Sequence, residues 1–465
     1  MIKEHLPVSS EILTALSLLK HAQYSRRNPV NLLKYVCILA LLHIFGLLWI
    51  HQVNATPKIV FILPETGRHA DIAVAMRPAI EIAREEALDQ NRSLRLEFEF
   101  FDNYNHPDSA GAIALRLAQR SDVLAIAGGY PSECCFSILD VAENHSLPYL
   151  IISSSADSLT YRGRDFVFRI SPPTSDYNDG LTGWAVSSAS TSRAMAILFD
   201  DRRLWRNALD DLCRDLGEKW SGQVERFPFS AGERDFGSHI EKIMELKPSL
   251  VWLFGGSSDI AGFIRQCRDL DAAPVAFILG TVGQVDGHIV TAAEGAASYI
   301  YGPAVWWHTH PYPGVEKFVR RFERIYGAKP DYHAAEAFAA VQVLVDAFKR
   351  TAEPTRENFR EALELTELRT VIGEIRFEDF QGYHHQNRVK TCVVQLLDNG
   401  WEVVWPPYLA TTDFVYPMPD WRERQSEKKV NKNAYLMLLL MVVLIWIMMS
   451  GAARKRRKIR DAGRR

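Results

Sequence analysis

Apolar and polar positions follow two alternating periodicities between residue 56 and about residue 410. KIVFIL at 58–63 is almost wholly apolar, whereas LRLEFEFF at 94–101 alternates apolar with polar side chains, and both patterns are typical of strands. Stretches with helical spacing lie between such runs. An alternation of strands and helices predicts a parallel sheet covered by helices. The first half continues with a helix ending near 88, a helix over 110–119, a strand over 123–129, a helix over 133–144 and a strand over 148–153.

The same order recurs in the second half of this body. SPPTSDYN at 171–178 is rich in Pro and polar residues and is predicted to be a crossing between two similar α/β lobes. Pro78 lies inside the first helical stretch and predicts a kink there or a later helix start. The recurring runs are strands over 194–199, 250–256 and 275–281 and helices over 205–219, 235–246 and 260–270.

Two apolar segments flank the body. Residues 434–453 carry no charge and are long enough to cross the roughly 30 Å hydrocarbon core as a helix. The basic residues at 454–458 predict that this end faces the cytoplasm, and basic residues before the uncharged run 35–50 predict the same orientation. We therefore expect a cytoplasmic segment at 1–34, membrane helices at 35–53 and 434–453, a linker at 411–433 and a cytoplasmic tail at 454–465.

Cleavage of the first apolar segment stays open. Val53-Asn54-Ala55 resembles a signal-peptide cleavage site, but the segment that precedes the apolar run is long for a signal peptide. An uncleaved anchor is the favoured interpretation.

Charge is segregated along the chain. The whole sequence holds 54 Lys and Arg against 56 Asp and Glu, a net charge of -2, but both ends are basic and the body between them is strongly acidic. An acidic body argues against nucleic acid as a partner. The six Cys lack zinc-type spacing, which argues against a Cys-rich metal module.

In each lobe an apolar strand ends in Gly-Gly and is followed by polar residues and a helix. The two motifs are AIAGGYPSE at 125–133 and WLFGGSSDI at 252–260. Open parallel sheets bind ligands beyond the carboxyl ends of their strands, where glycine lets a ligand approach the backbone and helix N-termini offer free N–H donors. A plain turn is the favoured explanation of either motif alone, and their recurrence favours a ligand cleft.

A series of motifs resembles, in order and spacing, the type 1 periplasmic binding proteins of the branched-chain amino acid and amide transport family. The resemblance covers residues 57 to about 405 and implies a Venus-flytrap of two Rossmann-like lobes joined by three crossings. It implies that lobe 1 comprises about 56–173 and 301–347, and lobe 2 about 178–300 and 348–405. The motifs include FILPETG, FFDNYNHPDSA, VLAIAGGYPS, PYLIISSSADSLT, FRISPPTSDY, LFGGSSDIAGFIRQCRDL, ERIYGAKPDYHAAEAFAAVQVLVDAF and IGEIRFEDFQG.

The resemblance also implies where a ligand is held. A family Ser that binds the ligand's carboxylate matches Ser132, and the groups after the next strand match Ser154 and Ser155. A helix start at Ser132 would favour an anion through its free amides, although an N-cap role is an equal alternative. We add Tyr130 and Ser257, which follow the two Gly-Gly pairs.

Three positions depart from the amino-acid-binding members of the family. Leu204 or Trp205 stands where those members carry a Tyr, and Thr281, in GTVG, stands where they carry an acidic residue for the ligand's ammonium. Asp157 offers a negative charge instead, but it would repel a carboxylate held beside it. The resemblance is thus as compatible with an amide, a cation-bearing compound or a neutral solute as with an α-amino acid.

Metal binding, cofactor binding and catalysis are not predicted. His308 with His310, and the pair His384-His385, lack a carboxylate or Cys at ligand spacing. The sequence contains no phosphate loop or ordered Ser/His/Asp set in a suitable context. Cys134-Cys135 lie near the expected site, where a disulfide is permitted but not implied.

These observations predict a solute-binding protein tethered to a bacterial inner membrane with its body in the periplasm. It would close on a small amino-acid-like or amide-like ligand, and its partners would be that ligand, the lipid bilayer and a membrane permease, as in ABC-type uptake. Two alternatives stay open. One is a ligand-sensing ectodomain that acts through a separate signalling subunit, and the other is a structural envelope protein that retains the fold without a ligand.

Overall fold

The computed structural model describes residues 56–161, 163–189, 191, 193–285, 287–398 and 400–424. The predicted cytoplasmic and membrane segments, at 1–34, 35–53, 434–453 and 454–465, lie outside these ranges. Among the described residues, no helix combines the length and apolarity needed to cross a bilayer.

The described strands are numbered along the chain and belong to two sheets. They are β1 (Lys58–Leu63), β2 (Glu97–Asp102), β3 (Val123–Gly128), β4 (Tyr149–Ile151), β5 (Val167–Arg169), β6 (Met195–Asp200), β7 (Val224–Phe229), β8 (Leu250–Phe254), β9 (Phe277–Leu279), β10 (Tyr301–Ala304), β11 (Glu367–Thr370), β12 (Gly373–Phe380), β13 (Tyr383–Asn387), β14 (Cys392–Leu397) and β15 (Gly400–Trp405).

The described helices lie between these strands. They are α1 (Ala70–Gln90), α2 (Pro107–Ala118), α3 (Ser132–Asn144), α4 (Asp179–Ser188), α5 (Arg203–Leu216), α6 (Gly237–Leu246), α7 (Ser257–Asp269), α8 (Gly287–Ala292), α9 (Val315–Tyr326), α10 (Tyr332–Arg350) and α11 (Arg356–Glu364). Helix α1 begins before Pro78 and continues through it, so the later start that Pro78 suggested is wrong.

The first sheet has the order β11-β12-β13-β5-β4-β3-β1-β2 and, with its helices, forms lobe 1. Strands β3, β4 and β5 are parallel, with Ile126 beside Tyr149 and Tyr149 beside Val167. Strands β3 to β5 are buried along their length, because helices such as α1, α3 and α10 cover the sheet. At the amino ends of β1 and β2, the Glu97 N–H donates to the Pro57 carbonyl at 3.0 Å.

The second sheet has the order β15-β14-β10-β9-β8-β6-β7 and forms lobe 2. Strands β6 to β9 are parallel, and the antiparallel pair β14-β15 closes one side. Every residue of β8 is buried, and Trp252 from this strand and Trp184 from α4 have no exposed surface. Cys267 and Cys392 are buried and Cys213 is half-buried. The predicted two-lobe α/β architecture is confirmed.

The boundaries between the lobes differ from those that the resemblance implied. The resemblance placed 301–347 in lobe 1 and 348–405 in lobe 2. Strand β10 pairs instead with β9 and β14 of lobe 2, so the chain enters lobe 1 after residue 304. Strands β11, β12 and β13 extend the lobe 1 sheet, and the chain returns to lobe 2 only after Asn387. The physical reason is the parallel pairing of β13 with β5, at Gln386 and Arg169.

Candidate functional site

Backbone geometry requires glycine at both positions of the first Gly-Gly pair, at the end of β3. Gly128 and Gly129 have φ angles of 113° and 79°, a region that favours glycine. A Cβ on Gly128 would lie 2.4 Å from the Ile62 carbonyl oxygen, and one on Gly129 would lie 2.0 Å from the Tyr149 hydroxyl oxygen. Close packing therefore explains both glycines without a ligand.

The second Gly-Gly pair has a similar structural role at the end of β8. A Cβ on Gly255 would lie 2.8 Å from Cζ of Phe229, and Gly256 is the N-cap residue of α7. The Gly255 carbonyl accepts a hydrogen bond of 2.9 Å from Nε2 of Gln284. The two motifs mark equivalent sheet edges in the two lobes, as their recurrence predicts.

Ser132 joins two loops at the edge of lobe 1. It is the first residue of α3, and Pro131 occupies the N-cap position, so the N-cap alternative for Ser132 is wrong. Its Oγ accepts a hydrogen bond of 3.4 Å from the N–H of Ala156, in the loop after β4. The hydroxyl and the helix start therefore lie together at the edge where a carboxylate was expected.

Ser154 and Ser155 hold this loop to its neighbours. Ser154 is buried, and its hydroxyl donates to the Gly129 carbonyl at 3.1 Å. The Ser155 carbonyl accepts from the N–H of Thr174 at 2.7 Å, and the two hydroxyl oxygens are 3.1 Å apart. Both serines lie at the predicted edge, and each already has partners within the protein.

Asp157 contacts the first crossing between the lobes. Its Oδ1 accepts from the N–H and from the hydroxyl of Ser175, both at 3.2 Å. Below it, Arg169 has no exposed surface and donates to the Ala156 carbonyl at 2.8 Å. Burial lowers the pKa of Arg169 to about 10, and the Asp157 carboxylate opposes that shift. The Asp157 carboxylate therefore interacts with the crossing, through Ser175, and with Arg169.

The three predicted residues of lobe 2 lie on separate elements. Trp205 lies in the first turn of α5 and packs partly buried against the lobe 2 core. Ser257 is the first residue of α7. Thr281 follows β9 and caps a short turn reciprocally with Gln284, whose Oε1 accepts from the Thr281 N–H at 3.1 Å. In the described part of the chain, no hydrogen bond joins these three residues to the predicted residues of lobe 1.

A cavity of about 480 Å³ is lined by residues of both lobes. Lobe 2 contributes the loop just after Thr281 and the end of β10, and lobe 1 contributes the starts of α1 and α10. Aromatic rings of the connecting segment complete the wall. The lining residues are Ile72, Val282, Gly283, Val285, Pro303, Ala304, Val305, Trp306, Trp307, His308, Lys329, Pro330, Asp331, Tyr332 and His333.

A buried polar cluster adjoins this cavity on the lobe 1 side. Asp331 caps α10 by accepting from the Ala334 N–H at 2.9 Å, and the helix then places His333 and Glu336 one turn apart. The Ser153 hydroxyl oxygen lies 2.5 Å from Nδ1 of His333 and within hydrogen-bond distance of Oε2 of Glu336. His333 is 5% exposed and Glu336 is 1% exposed.

The electrostatics of the cluster follow from its burial. Burial raises the pKa of Glu336 to about 8, against the opposing hydrogen bond from Ser153, and lowers the pKa of His333 to about 3. The Tyr130 ring lies edge-on to His333 with centroids 5.4 Å apart. Burial raises the pKa of the Tyr130 hydroxyl. Ser153 is the middle member, whereas a nucleophilic triad needs His between Ser and the acid. The cluster is therefore arranged for hydrogen bonding.

Sequence reasoning missed Ser153, His333 and Glu336. In the segment DYHAAEAF, a His and a Glu three residues apart in an otherwise apolar helix are a usable signal for a polar cluster. Ser153 directly precedes the predicted site residues Ser154 and Ser155, and in the structure its hydroxyl faces α10. Ser153 and His333 are 180 residues apart along the chain, so no local pattern indicates that they form a cluster.

The two histidine pairs contact different partners. Nε2 of His308 lies 2.9 Å from Nζ of Lys329, and His310 is buried between aromatic rings. Nδ1 of His384 lies 2.7 Å from Oδ1 of Asp379, and His385 stacks on Phe168. Among the described residues, no group of three or more His, Cys, Asp or Glu side chains is placed to hold a metal ion.

The two lobes, their three crossings and the cavity between them define a two-lobe α/β binding protein. The family model described as periplasmic binding protein matches residues 56–400, and the chain belongs to that family. The resemblance found in the sequence is thereby confirmed.

Relatives and solved structures agree with this assignment. The chain is 23% identical over 276 residues to the amino acid binding protein of Pseudomonas aeruginosa, which covers 59% of this chain and 72% of that protein. A leucine binding protein from Thermotoga maritima has a TM-score of 0.59 at 22% identity, covering 75% of this chain and 97% of the other. A solute binding protein from R. palustris in complex with benzoate has a TM-score of 0.59 at 16% identity, covering 77% and 97%.

Proposed function

We propose that this protein is an extracytoplasmic solute-binding protein, held to the inner membrane by its predicted helices at 35–53 and 434–453, that delivers a small organic ligand to an ABC-type permease. Family membership supports ligand binding outside the cytoplasm. The charge-free segments and their basic flanks support the two anchors. A tethered body meets its permease by diffusion within the membrane plane.

The observation that carries this proposal is the cavity of about 480 Å³ with walls from both lobes. A volume of this size suits a small organic molecule. A ligand that contacts both walls stabilises the closed arrangement of the lobes, and a permease that distinguishes open from closed reads out its occupancy.

Two features support a small acid or amide as the ligand. Ser132 and the start of α3 lie at the edge of lobe 1, outside the residues that line the cavity, and free amides there favour an anion. The GTVG loop reaches the cavity through Val282 and Gly283, which carry no charge. A ligand whose ammonium needs a carboxylate on lobe 2 is therefore disfavoured relative to a carboxylate or amide without one.

The test is a thermal-shift screen of the full-length protein in detergent. The panel contains leucine, isoleucine, benzoate, 3,4-dihydroxybenzoate, aliphatic amides and polyamines, and hits are confirmed by calorimetry. We expect saturable stabilisation by an acid or amide, and copurification of the protein with a permease.

Two outcomes would replace the proposal. Stabilisation together with copurification of a histidine kinase or chemoreceptor would favour the sensing ectodomain. Absence of stabilisation by every compound, with no change in small-angle scattering, would favour the structural envelope protein.

A further inference from the structure

The hydroxyl of Ser153 connects two titratable side chains and can donate to only one of them at a time. It lies within hydrogen-bond distance of Nδ1 of His333 and of Oε2 of Glu336. The direction of its single O–H therefore links the proton on Glu336 to the tautomer of His333.

Two arrangements satisfy all three groups. When Glu336 is protonated, its O–H donates to Ser153, Ser153 donates to Nδ1 of His333, and the imidazole proton is on Nε2. When Glu336 is ionised, Ser153 donates to it, Nδ1–H of His333 donates to Ser153, and Nε2 carries a lone pair. Nε2 thus changes from hydrogen-bond donor to acceptor as Glu336 loses its proton.

Nε2 is the ring atom left for a ligand. Nδ1 is committed to Ser153, and Nε2 has no hydrogen-bond partner in the part of the chain that the structure describes. His333 lines the cavity. Trp307 lines the same cavity, and its indole N–H also has no partner among the described residues. Both residues belong to the cavity wall, and the Trp307 indole nitrogen itself is buried.

We propose that Ser153 and Glu336 hold neutral His333 in its Nε2–H tautomer, so that the cavity wall presents a hydrogen-bond donor and selects ring-containing ligands with an acceptor oxygen. This inference rests on the proposed function. The rings of Trp306, Trp307 and Tyr332 form a matching apolar wall. The raised pKa of Glu336 agrees with a neutral carboxyl group at neutral pH.

The charged and titratable groups around the cluster do not supply a fixed cation for Glu336. Asp331 at the N-cap of α10, Tyr332 in that helix, Tyr130 after β3 and Tyr177 in the first crossing interact with Glu336, whereas His69 and Asp71 at the start of α1 interact with His333. The Asp331 carboxyl group disfavours a negative charge on Glu336. The neutral state of Glu336 therefore follows from its surroundings as well as from its burial.

The tautomer is measured directly by solid-state ¹⁵N NMR of full-length, histidine-labelled protein in lipid vesicles, with the His333 signal assigned by its loss in His333→Gln. We expect Nε2–H at pH 6.5 and conversion to Nδ1–H at pH 9.5. Glu336→Gln should keep Nε2–H at both pH values, because its neutral amide can donate an N–H to Ser153 and has no proton that titrates in this range. Glu353→Gln, the same change at an exposed glutamate, should behave as the wild type.

Either of two spectra overturns the relay. One is an Nδ1–H tautomer at pH 6.5 in the wild type, and the other is a conversion in Glu336→Gln equal to that of the wild type. Both measurements are independent of any ligand.

Calorimetry with three ring compounds tests the ligand class. We expect benzoate and acetophenone, which offer acceptor oxygens, to bind at pH 6.5 and benzylamine not to bind. Wild-type affinity for acetophenone, which carries no charge, should fall about tenfold at pH 9.5, the scale of one hydrogen bond, while Glu336→Gln retains it.

The outcomes separate this inference from the proposed function. Preference for benzylamine at pH 6.5 overturns the inference. Binding of leucine with none of the three ring compounds overturns it as well and leaves the proposed function standing. Failure of every compound overturns the proposed function and the ligand class together, and the NMR result then decides the relay alone.

Discussion

Nε of Arg169 donates to Oε1 of Gln386 at 2.5 Å, although 217 residues separate the two along the chain. Neither side chain has any exposed surface. The Gln386 amide also donates to the Ser171 carbonyl at 2.8 Å. This contact joins the last strand of lobe 1 to the loop that leaves for lobe 2, so it connects a buried core position with the crossing.

Arg169→Met is expected to destabilise the protein markedly. The substitution removes one hydrogen bond from the Ala156 carbonyl, which keeps the Leu159 N–H, and one from Oε1 of Gln386, which keeps the Thr160 hydroxyl. Each hydrogen bond from the charged guanidinium contributes about 1.5–3 kcal/mol. Guanidinium denaturation of the full-length protein measures the loss. Arg376→Met, at a side chain that is 49% exposed, should change stability by less than about 1 kcal/mol. Equal effects in both variants would contradict the assigned role of Arg169.

Gly129→Ala is expected to prevent stable folding of lobe 1. The residue has a φ of 79°, and the new Cβ would meet the Tyr149 hydroxyl at 2.0 Å and the Cys135 Sγ at 2.6 Å. Strain of about 1–3 kcal/mol from the backbone adds to the steric overlap. Gly287→Ala, where a Cβ meets nothing within 4 Å, is the matched control. Thermal unfolding should show a large fall in Tm for the first variant alone, and a wild-type Tm would refute the packing account.

Glu336→Gln is expected to remove a pH-dependent part of the stability. The native pKa is raised to about 8, while the ordinary value is 4.5. Between these two values the unfolded chain has lost the proton that the native protein keeps, so wild-type stability falls as pH rises, by up to about 1.4 kcal/mol per pH unit from this group. The difference in unfolding free energy between variant and wild type should therefore grow from pH 5 to pH 8. A constant difference, equal to that of Glu353→Gln, would show that Glu336 is ionised in the native state.

Ser132→Ala is expected to weaken binding of a carboxylate ligand and to leave the fold intact. Removal of one buried polar partner costs about 1–3 kcal/mol of binding free energy. Calorimetry with the acid identified in the thermal-shift screen measures the effect. Ser137→Ala, one turn further along α3, is the control because its hydroxyl only approaches the Glu133 carbonyl, at 3.4 Å. Unchanged affinity in Ser132→Ala would remove Ser132 from the site.

Local patterns were sufficient for most elements of the fold. The predicted strand at 58–63 is β1, and the predicted helix at 133–144 differs from α3 by one residue. These segments are predictable because a buried strand and an amphipathic helix each carry their periodicity within a few residues. Their alternation also predicted the parallel sheets.

The lobe assignment of residues 348–387 was not predictable in this way. Strand β12 has the alternating pattern of a sheet with one exposed face, which suits the edge region of either lobe, and the short β13 shows no alternation that would assign it to one lobe. The pairing of Gln386 with Arg169 is what places β13, and with it β12, in the lobe 1 sheet. A pairing between positions 217 residues apart leaves no trace in local periodicity.

The sequence by itself determined the class of fold, the family and the two glycine-tipped strand ends, because periodicity and local backbone requirements reside in short segments. Only the tertiary structure brought Ser153, His333 and Glu336 together and placed them against a cavity with walls from both lobes. The reason is that hydrogen bonds and burial depend on which distant segments pack against each other. The same packing sets the protonation of Glu336, which no pattern along the chain contains.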